Sequence, residues 1–209
     1  MNKPLAPSHR HFRVSEAPGY LLHAMAWSET SLITRIFTKD HGLQTMVAKG
    51  AKRPYSTLRP ILLHFQPLLL SWSGKNEVKT LTKAELNGIC FLKGRLLMSG
   101  WYMNELLLHF LALEDAHPRL YEAYELSLQA LAQGEEAEAS ILRRFEWILL
   151  EVCGYGTEQA MPDFKDPQKT VYWRQQLRQR IDRQIDNKPM RTRQVLQSFR
   201  DLDIPKIKS

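Results

Sequence analysis

The sequence is poor in cysteine. Cys90 and Cys153 are the only two among 209 residues, far apart and each in apolar surroundings. That excludes a disulfide framework and a four-cysteine zinc site and points to buried thiols. Long hydrophobic runs are missing as well. No stretch reaches the roughly 20 apolar residues of a membrane helix, and Met1 to Arg13 is polar, proline-bearing and basic, unlike a signal peptide. A soluble, cytoplasmic protein is expected. The signatures of nucleotide and hydrolytic chemistry are also absent: no G-x-x-x-x-G-K-S/T, no G-x-G-x-x-G opening a helix, no H-E-x-x-H and no G-x-S-x-G. Gly154-Tyr155-Gly156 follows a helical pattern and lacks the preceding strand of a nucleotide site. Asp40, Glu77 and Glu85 stand singly, without the paired spacing that would hold a metal. No catalytic residue, cofactor or metal is expected, so any work on a ligand is driven by binding energy.

What the chain does have is a surplus of positive charge, unevenly placed. Net charge is +7. Residues 1–87 hold 12 Lys and Arg against 5 Asp and Glu, residues 88–164 hold 5 against 12, and residues 165–209 again 12 against 5. A basic front segment followed by an acidic middle predicts a localised contact with a polyanion.

Period-two patterning dominates the first ninety residues. After an N-terminal arm, residues 1–18, expected to be flexible and carrying His9, Arg10 and His11, strands are predicted over Gly19–Ala26, Leu32–Phe37, Leu43–Ala48, Leu68–Trp72 and Val78–Leu86. His23, within the first, reads as a structural residue. Asp40-His41-Gly42 has the make-up of a tight hairpin turn. Pro60 and Pro67 exclude a regular central strand between them. Five short strands with a long connection after the third predict an OB-type β-barrel over residues 19–87; an SH3-like barrel or a small sandwich explains the spacing almost as well.

After Asn87-Gly88 the period becomes about 3.6 and an all-α domain is expected over residues 88–209. Leu96 to Leu113 reads as a helix broken or bent at Ser99-Gly100. His117-Pro118 opens a second, with Leu120, Tyr124, Leu128 and Leu131 along one stripe and Gly134 closing it. A third starts in Glu135-Glu136-Ala137-Glu138, buries Ile141, Phe145, Ile148, Leu149 and Val152, and ends at Gly154. Trp173–Ile185 is a basic amphipathic helix with Arg174, Arg178, Arg180 and Arg183, a poor membrane anchor and a second candidate for phosphate contact. Thr192–Leu202 forms the last.

The candidate site lies in the loop after the third strand. Lys49, Lys52, Arg53 and Arg59 fall within eleven positions, with Gly50 and Pro54 shaping the backbone and Tyr55 among the cations. Cations beside an aromatic ring suit a flexible polynucleotide, phosphates meeting charge while bases stack. Arg35 and Lys79 join the candidate DNA-binding set from charge and strand position. Tyr55 and Trp72 are candidate stacking platforms, with a core role an even alternative for Tyr55 and the favoured one for Trp72. An RNA-binding barrel of the translation or ribosome type, or an adaptor whose basic face meets an acidic protein, fits the same composition.

Six runs in register resemble one family, the bacterial recombination mediator RecO. They are Trp27-Ser28-Glu29-Thr30-Ser31-Leu32, Val47-Ala48-Lys49-Gly50-Ala51-Lys52-Arg53, Phe65-Gln66-Pro67-Leu68-Leu69-Leu70, Glu77-Val78-Lys79-Thr80-Leu81, Tyr102-Met103-Asn104-Glu105-Leu106-Leu107 and Leu142-Arg143-Arg144-Phe145-Glu146. The resemblance implies an N-terminal OB fold and a helical domain in a cytoplasmic, nucleoid-associated protein of DNA repair and recombination. It implies binding to single-stranded and duplex DNA, annealing of strands coated by single-strand-binding protein, and recombinase loading with RecR, with RecF a further partner. It places Lys49, Lys52 and Arg53 on the DNA side. Arg143, Arg144 and Trp147 become candidates for docking the acidic tail of single-strand-binding protein, with a surface ion pair the alternative for Arg144. Two departures stand out. The four-cysteine zinc module of many members is missing, and the part after Thr157 is short, with similarity resuming at Lys188-Pro189-Met190-Arg191-Thr192-Arg193.

Overall fold

The computed structural model describes residues 12–185 and 190–202. Five strands come first: β1 (Arg13–Ala26), β2 (Leu32–Thr38), β3 (Gly42–Ala48), β4 (Leu68–Ser73) and β5 (Val78–Leu86). They close into a barrel in the order β1-β2-β3-β5-β4, with β3 and β5 parallel and every other pair antiparallel. This is the OB-type barrel, and it settles the choice against the SH3-like barrel and the sandwich. Its interior is filled by Leu21, Ile36, Met46, Ala48, Leu70, Trp72, Leu81 and Ala84, all buried.

The first strand starts at Arg13 rather than Gly19. Residues 13–18 pair with β4, Arg13 with Ser73 and Ala17 with Leu70, across an irregularity where Glu16 takes φ 54° and donates its N–H to Ser71 Oγ at 3.1 Å. Pro18 hides this pairing from a pattern reading, because proline cannot donate to a ladder; here its carbonyl accepts the Lys39 N–H at 3.1 Å. His9, Arg10 and His11 lie outside the described residues.

Five helices follow: α1 (Leu96–Phe110), α2 (Pro118–Gln133), α3 (Glu138–Val152), α4 (Pro167–Gln184) and α5 (Arg191–Leu202). The expected break at Ser99-Gly100 does not occur. A Cβ on Gly100 would come within 2.8 Å of Leu92 Cδ1 and Phe65 Cε1, so the glycine serves close approach of α1 to its neighbours. Pro118 occupies the first turn of α2, where its missing N–H costs nothing, and Gly134 caps the other end in the left-handed region. Gly154 ends α3 in a Schellman arrangement, its N–H on Glu151 O and that of Tyr155 on Leu150 O. The expected α2 stripe of Leu120, Tyr124, Leu128 and Leu131 is buried.

One core joins the barrel to the helices. Tyr20, Leu22, Phe37 and Leu43 point out of the barrel and belong to the same apolar cluster as Leu106, Tyr121, Tyr124 and Phe145. Tyr20 meets Tyr124 edge-on at 5.1 Å and Phe37 meets Tyr121 at 5.5 Å.

Candidate nucleic-acid interface

Strand register divides the barrel's outer wall in two. Partners in a ladder share a face, and faces alternate along each strand. The row Tyr20–Phe37–Leu43 faces outward, under the helices. A bulge then inserts Leu22 as an extra residue in β1, since Leu21 pairs with Ile36 and His23 with Arg35. Its carbonyl accepts from Asn104 Nδ2 at 3.1 Å, and Asn104 Oδ1 accepts the Tyr124 hydroxyl at 2.6 Å. Beyond the bulge two further rows face outward, His23–Arg35–Thr45–Val78 and Met25–Ile33–Val47–Thr80. Among the described residues no helix covers them, and Met25 and Val78 are exposed. Thr45 is buried beneath its neighbours, and its hydroxyl has no hydrogen-bond partner among the described residues.

The basic loop closes the open end of this wall. Ala51 and Leu62 are buried in the barrel core and Leu58 and Ile61 pack on it, so the loop is anchored along its length. Gly50 takes φ 71°, which lets the Arg53 side chain lie over it with Cδ 3.5 Å from where a Cβ would stand. Lys49, Arg53, Pro54, Tyr55 and Leu58 line an open depression of ≈540 Å³. Tyr55 is 99% exposed, a bare ring beside two cations. Lys52 does something else. Its Nζ donates to Ser28 O at 2.9 Å and its N–H to Thr30 O at 2.9 Å, clasping the loop to the β1–β2 turn. That turn carries Trp27, 63% exposed, two residues beyond Met25 along the chain.

The predicted residues therefore separate. Lys49, Arg53 and Tyr55 come together; Arg35 lies half-buried on the open wall; Arg59 is exposed on the loop but does not line the depression. Lys79 is not on this surface. It pairs with the inward Met46, is 4% exposed, and its Nζ is held by Glu114 and by Asn76 O at 2.9 Å. Trp72, 1% exposed, is barrel core, edge-on to His41 at 5.2 Å. Sequence reasoning misses Trp27 and the row that holds Met25 and Ile33. The shared parity of Ile33 with Arg35 and of Thr45 with Val47 is the signal that could have found them.

The candidate docking residues on α3 are not an open groove. Arg143 is buried and committed to Glu146, which also accepts the Tyr102 hydroxyl at 2.7 Å. Trp147 is buried against Phe164 and Trp173. Arg144 makes the surface ion pair, bidentate to Glu136 at 2.8 to 3.1 Å. Burial pushes the Cys90 thiol up and the Cys153 thiol, helped by Asp115, to about 11. Among the described residues no group of three or more His, Cys, Asp or Glu is placed to hold a metal, and no helix is long and apolar enough to cross a membrane.

Residues 13–89 match the family model described as Recombination protein O N terminal, and residues 93–194 match Recombination protein O C terminal. The chain belongs to the RecO family. Its relatives within RecO include the DNA repair protein RecO of Cupriavidus pinatubonensis, 53% identical over 152 residues, which cover 72% of this chain and 52% of that protein. That of Aromatoleum aromaticum is 52% identical over 145 residues, 69% of this chain and 60% of the relative. That of Burkholderia lata is 54% identical over 145 residues, 69% and 52% of the two. The matched stretch thus spans about half the length of these RecO proteins.

Proposed function

We propose that this chain is a DNA repair and recombination protein that binds single-stranded DNA along the open half of its barrel wall and anneals complementary strands. The reading extends to loading recombinase onto strands coated by single-strand-binding protein, with RecR and RecF as partners, in the cytoplasm at the nucleoid. One observation carries it: Lys49, Arg53 and Tyr55 share a single depression beside a wall on which Met25 and Val78 are exposed and Ile33 and Val47 are half-buried, with no helix among the described residues seated on them. Phosphates would meet the cations, and unpaired bases would lie on the apolar Met25, Ile33, Val47 and Val78 and on the rings of Trp27 and Tyr55. A duplex keeps its bases stacked inside and gains only the phosphate part, so the wall favours single strands.

The test is a salt titration of binding to a labelled single strand. Lys49→Ala with Arg53→Ala should weaken binding and reduce the slope of log affinity against log salt by about 0.7 for each phosphate that no longer meets a cation. An unchanged slope would remove the depression from the site, and tighter binding of RNA of the same sequence would favour the RNA-binding reading.

A further inference from the structure

The open wall can hold one strand, and annealing requires two to be brought together. We propose that one flank of α4, carrying Lys169, Tyr172, Gln176, Arg180 and Arg183, is a second nucleic-acid surface that takes a second single strand by its phosphates. The proposal rests on the annealing reading above. Steps of three, four, four and three residues keep these side chains on one flank, along roughly 21 Å of helix at 1.5 Å per residue. Tyr172 is 55% exposed, and the exposed ammonium of Lys169 has an i,i+3 partner in the half-buried Asp166 at 3.3 Å, a solvent-facing pair that is weak competition for a phosphate. A ring one turn from a lysine, with two arginines further along the same polar flank, uses the residue types of Lys49, Arg53 and Tyr55.

Charge directs the strand to α4 rather than to α1, α2 or α3. Residues 88–164, which form those three helices, hold 12 acidic against 5 basic residues, whereas residues 165–209 reverse those numbers. A polyanion is repelled by the first group and attracted by the second. The flank is also rigid without its cations. Leu177, Ile181 and Ile185 are buried, and Trp173 packs edge-on against Trp147 at 5.9 Å and Phe164 at 6.0 Å. The two surfaces are separate: α4 packs on α3, α3 on α1 and α2, and it is α1 and α2 that seat on the barrel. Two strands held apart on one chain are at high effective concentration without competing for one site.

The experiment uses the full chain and a non-complementary oligonucleotide, then a complementary pair. Titration of the wild type should saturate at two strands per chain, and Arg180→Glu with Arg183→Glu should bring this to one. That variant should keep first-strand affinity within about 2-fold while annealing slows by about 10-fold or more, as removing two phosphate-binding cations from a second site requires. Arg180→Gln with Arg183→Gln gives the same direction if charge reversal disturbs folding, and an unchanged thermal midpoint separates binding from stability. Saturation of the wild type at one strand, or annealing at the wild-type rate in both variants, overturns the proposal. Recruitment of the wild type to anionic vesicles, abolished in the variants while strand stoichiometry holds, assigns the flank to a lipid surface and overturns it equally. Failure of the barrel reading looks different: Lys49→Ala with Arg53→Ala would then leave stoichiometry and salt slope unchanged.

Discussion

The outer wall of the barrel is two surfaces made from the same three strands. Below the Leu22 bulge it carries Tyr20, Phe37 and Leu43 and is sealed by α1 and α2; above it the wall carries Met25, Ile33 and Val47 and is open. Both halves carry apolar residues, those of the open half interleaved with His23, Arg35, Thr45 and Thr80. What differs is cover, and the bulge is where cover stops, because the carbonyl it frees from the ladder is the one Asn104 reaches. An apolar residue under cover serves stability, whereas the same type without cover is free for a ligand. Substitution should therefore separate the halves. Phe37→Ala should lower unfolding free energy by about 3–5 kcal/mol, the range for a buried aromatic, and leave strand binding by the folded fraction intact. Ile33→Ala should change stability far less and weaken single-strand binding; denaturant midpoints alongside anisotropy titrations check both. Equal destabilisation by the two would erase the distinction.

The border itself is the next target. Asn104 is fully buried, donating to Leu22 O and accepting from Tyr124. Asn104→Ala orphans both partners, at about 1–3 kcal/mol for each buried polar group left unpaired. Asn104→Asp should be at least as damaging, since the carboxylate keeps the acceptor for Tyr124 but sets a negative oxygen against the Leu22 carbonyl. Urea unfolding would show the drop in stability, and a near-neutral Asn104→Ala would mean that apolar packing alone fixes the helices on the bulge.

Much of the fold was legible because it depends on local signals. The β5 range Val78–Leu86, the Gly134 cap and the α2 stripe follow from alternation, a positive-φ glycine and 3.6-residue spacing. The site was legible only in part. Charge and glycine content exposed the Lys49 to Arg53 loop, but sequence cannot show that Lys79 faces inward, since its parity depends on the parallel pairing with β3. Nor does it show that Arg143 is used up by Glu146 one helical turn away. The break expected at Gly100 reads a packing glycine as a breaker. Its reason, contact with Phe65 and Leu92 from distant segments, has no local trace.

On the open half, Trp27 and Lys52 sharpen the contrast between touching the ligand and shaping what touches it. Trp27→Ala should cost about 1–3 kcal/mol of single-strand affinity if one base stacks on the indole, with the salt slope unchanged. Lys52→Met removes the clasp on Ser28 O and should weaken binding less, again with little change of slope, because its ammonium is already engaged. A slope reduced as far as in Lys49→Ala would instead make Lys52 a phosphate ligand.

The smallest effect is expected from His64, which sits against the border at Leu21. Its Nδ1 is 3.1 Å from Leu21 O, the residue before the bulge, and its ring lies 4.3 Å from that of Trp101. Burial holds the imidazole below its ordinary value, against the opposing pull of the Leu21 carbonyl, and nearby His23 adds to the lowering. The folded chain therefore takes up this proton less readily than the unfolded chain does. The contribution is fully present above the unfolded value of about 6.5 and is lost as pH falls below it toward the depressed folded value. His64→Gln, which keeps a donor for Leu21 O without titrating, should flatten the fall of the thermal midpoint between about pH 7 and pH 5. Because the protonated ring would stand between the bulge and Trp101, the same acid range should loosen the covered half of the wall before the open half. Amide exchange at Tyr20 and Phe37 that accelerates on acidification while that at Ile33 and Val47 does not would bear this out, and a uniform acceleration would show that the wall opens as one unit.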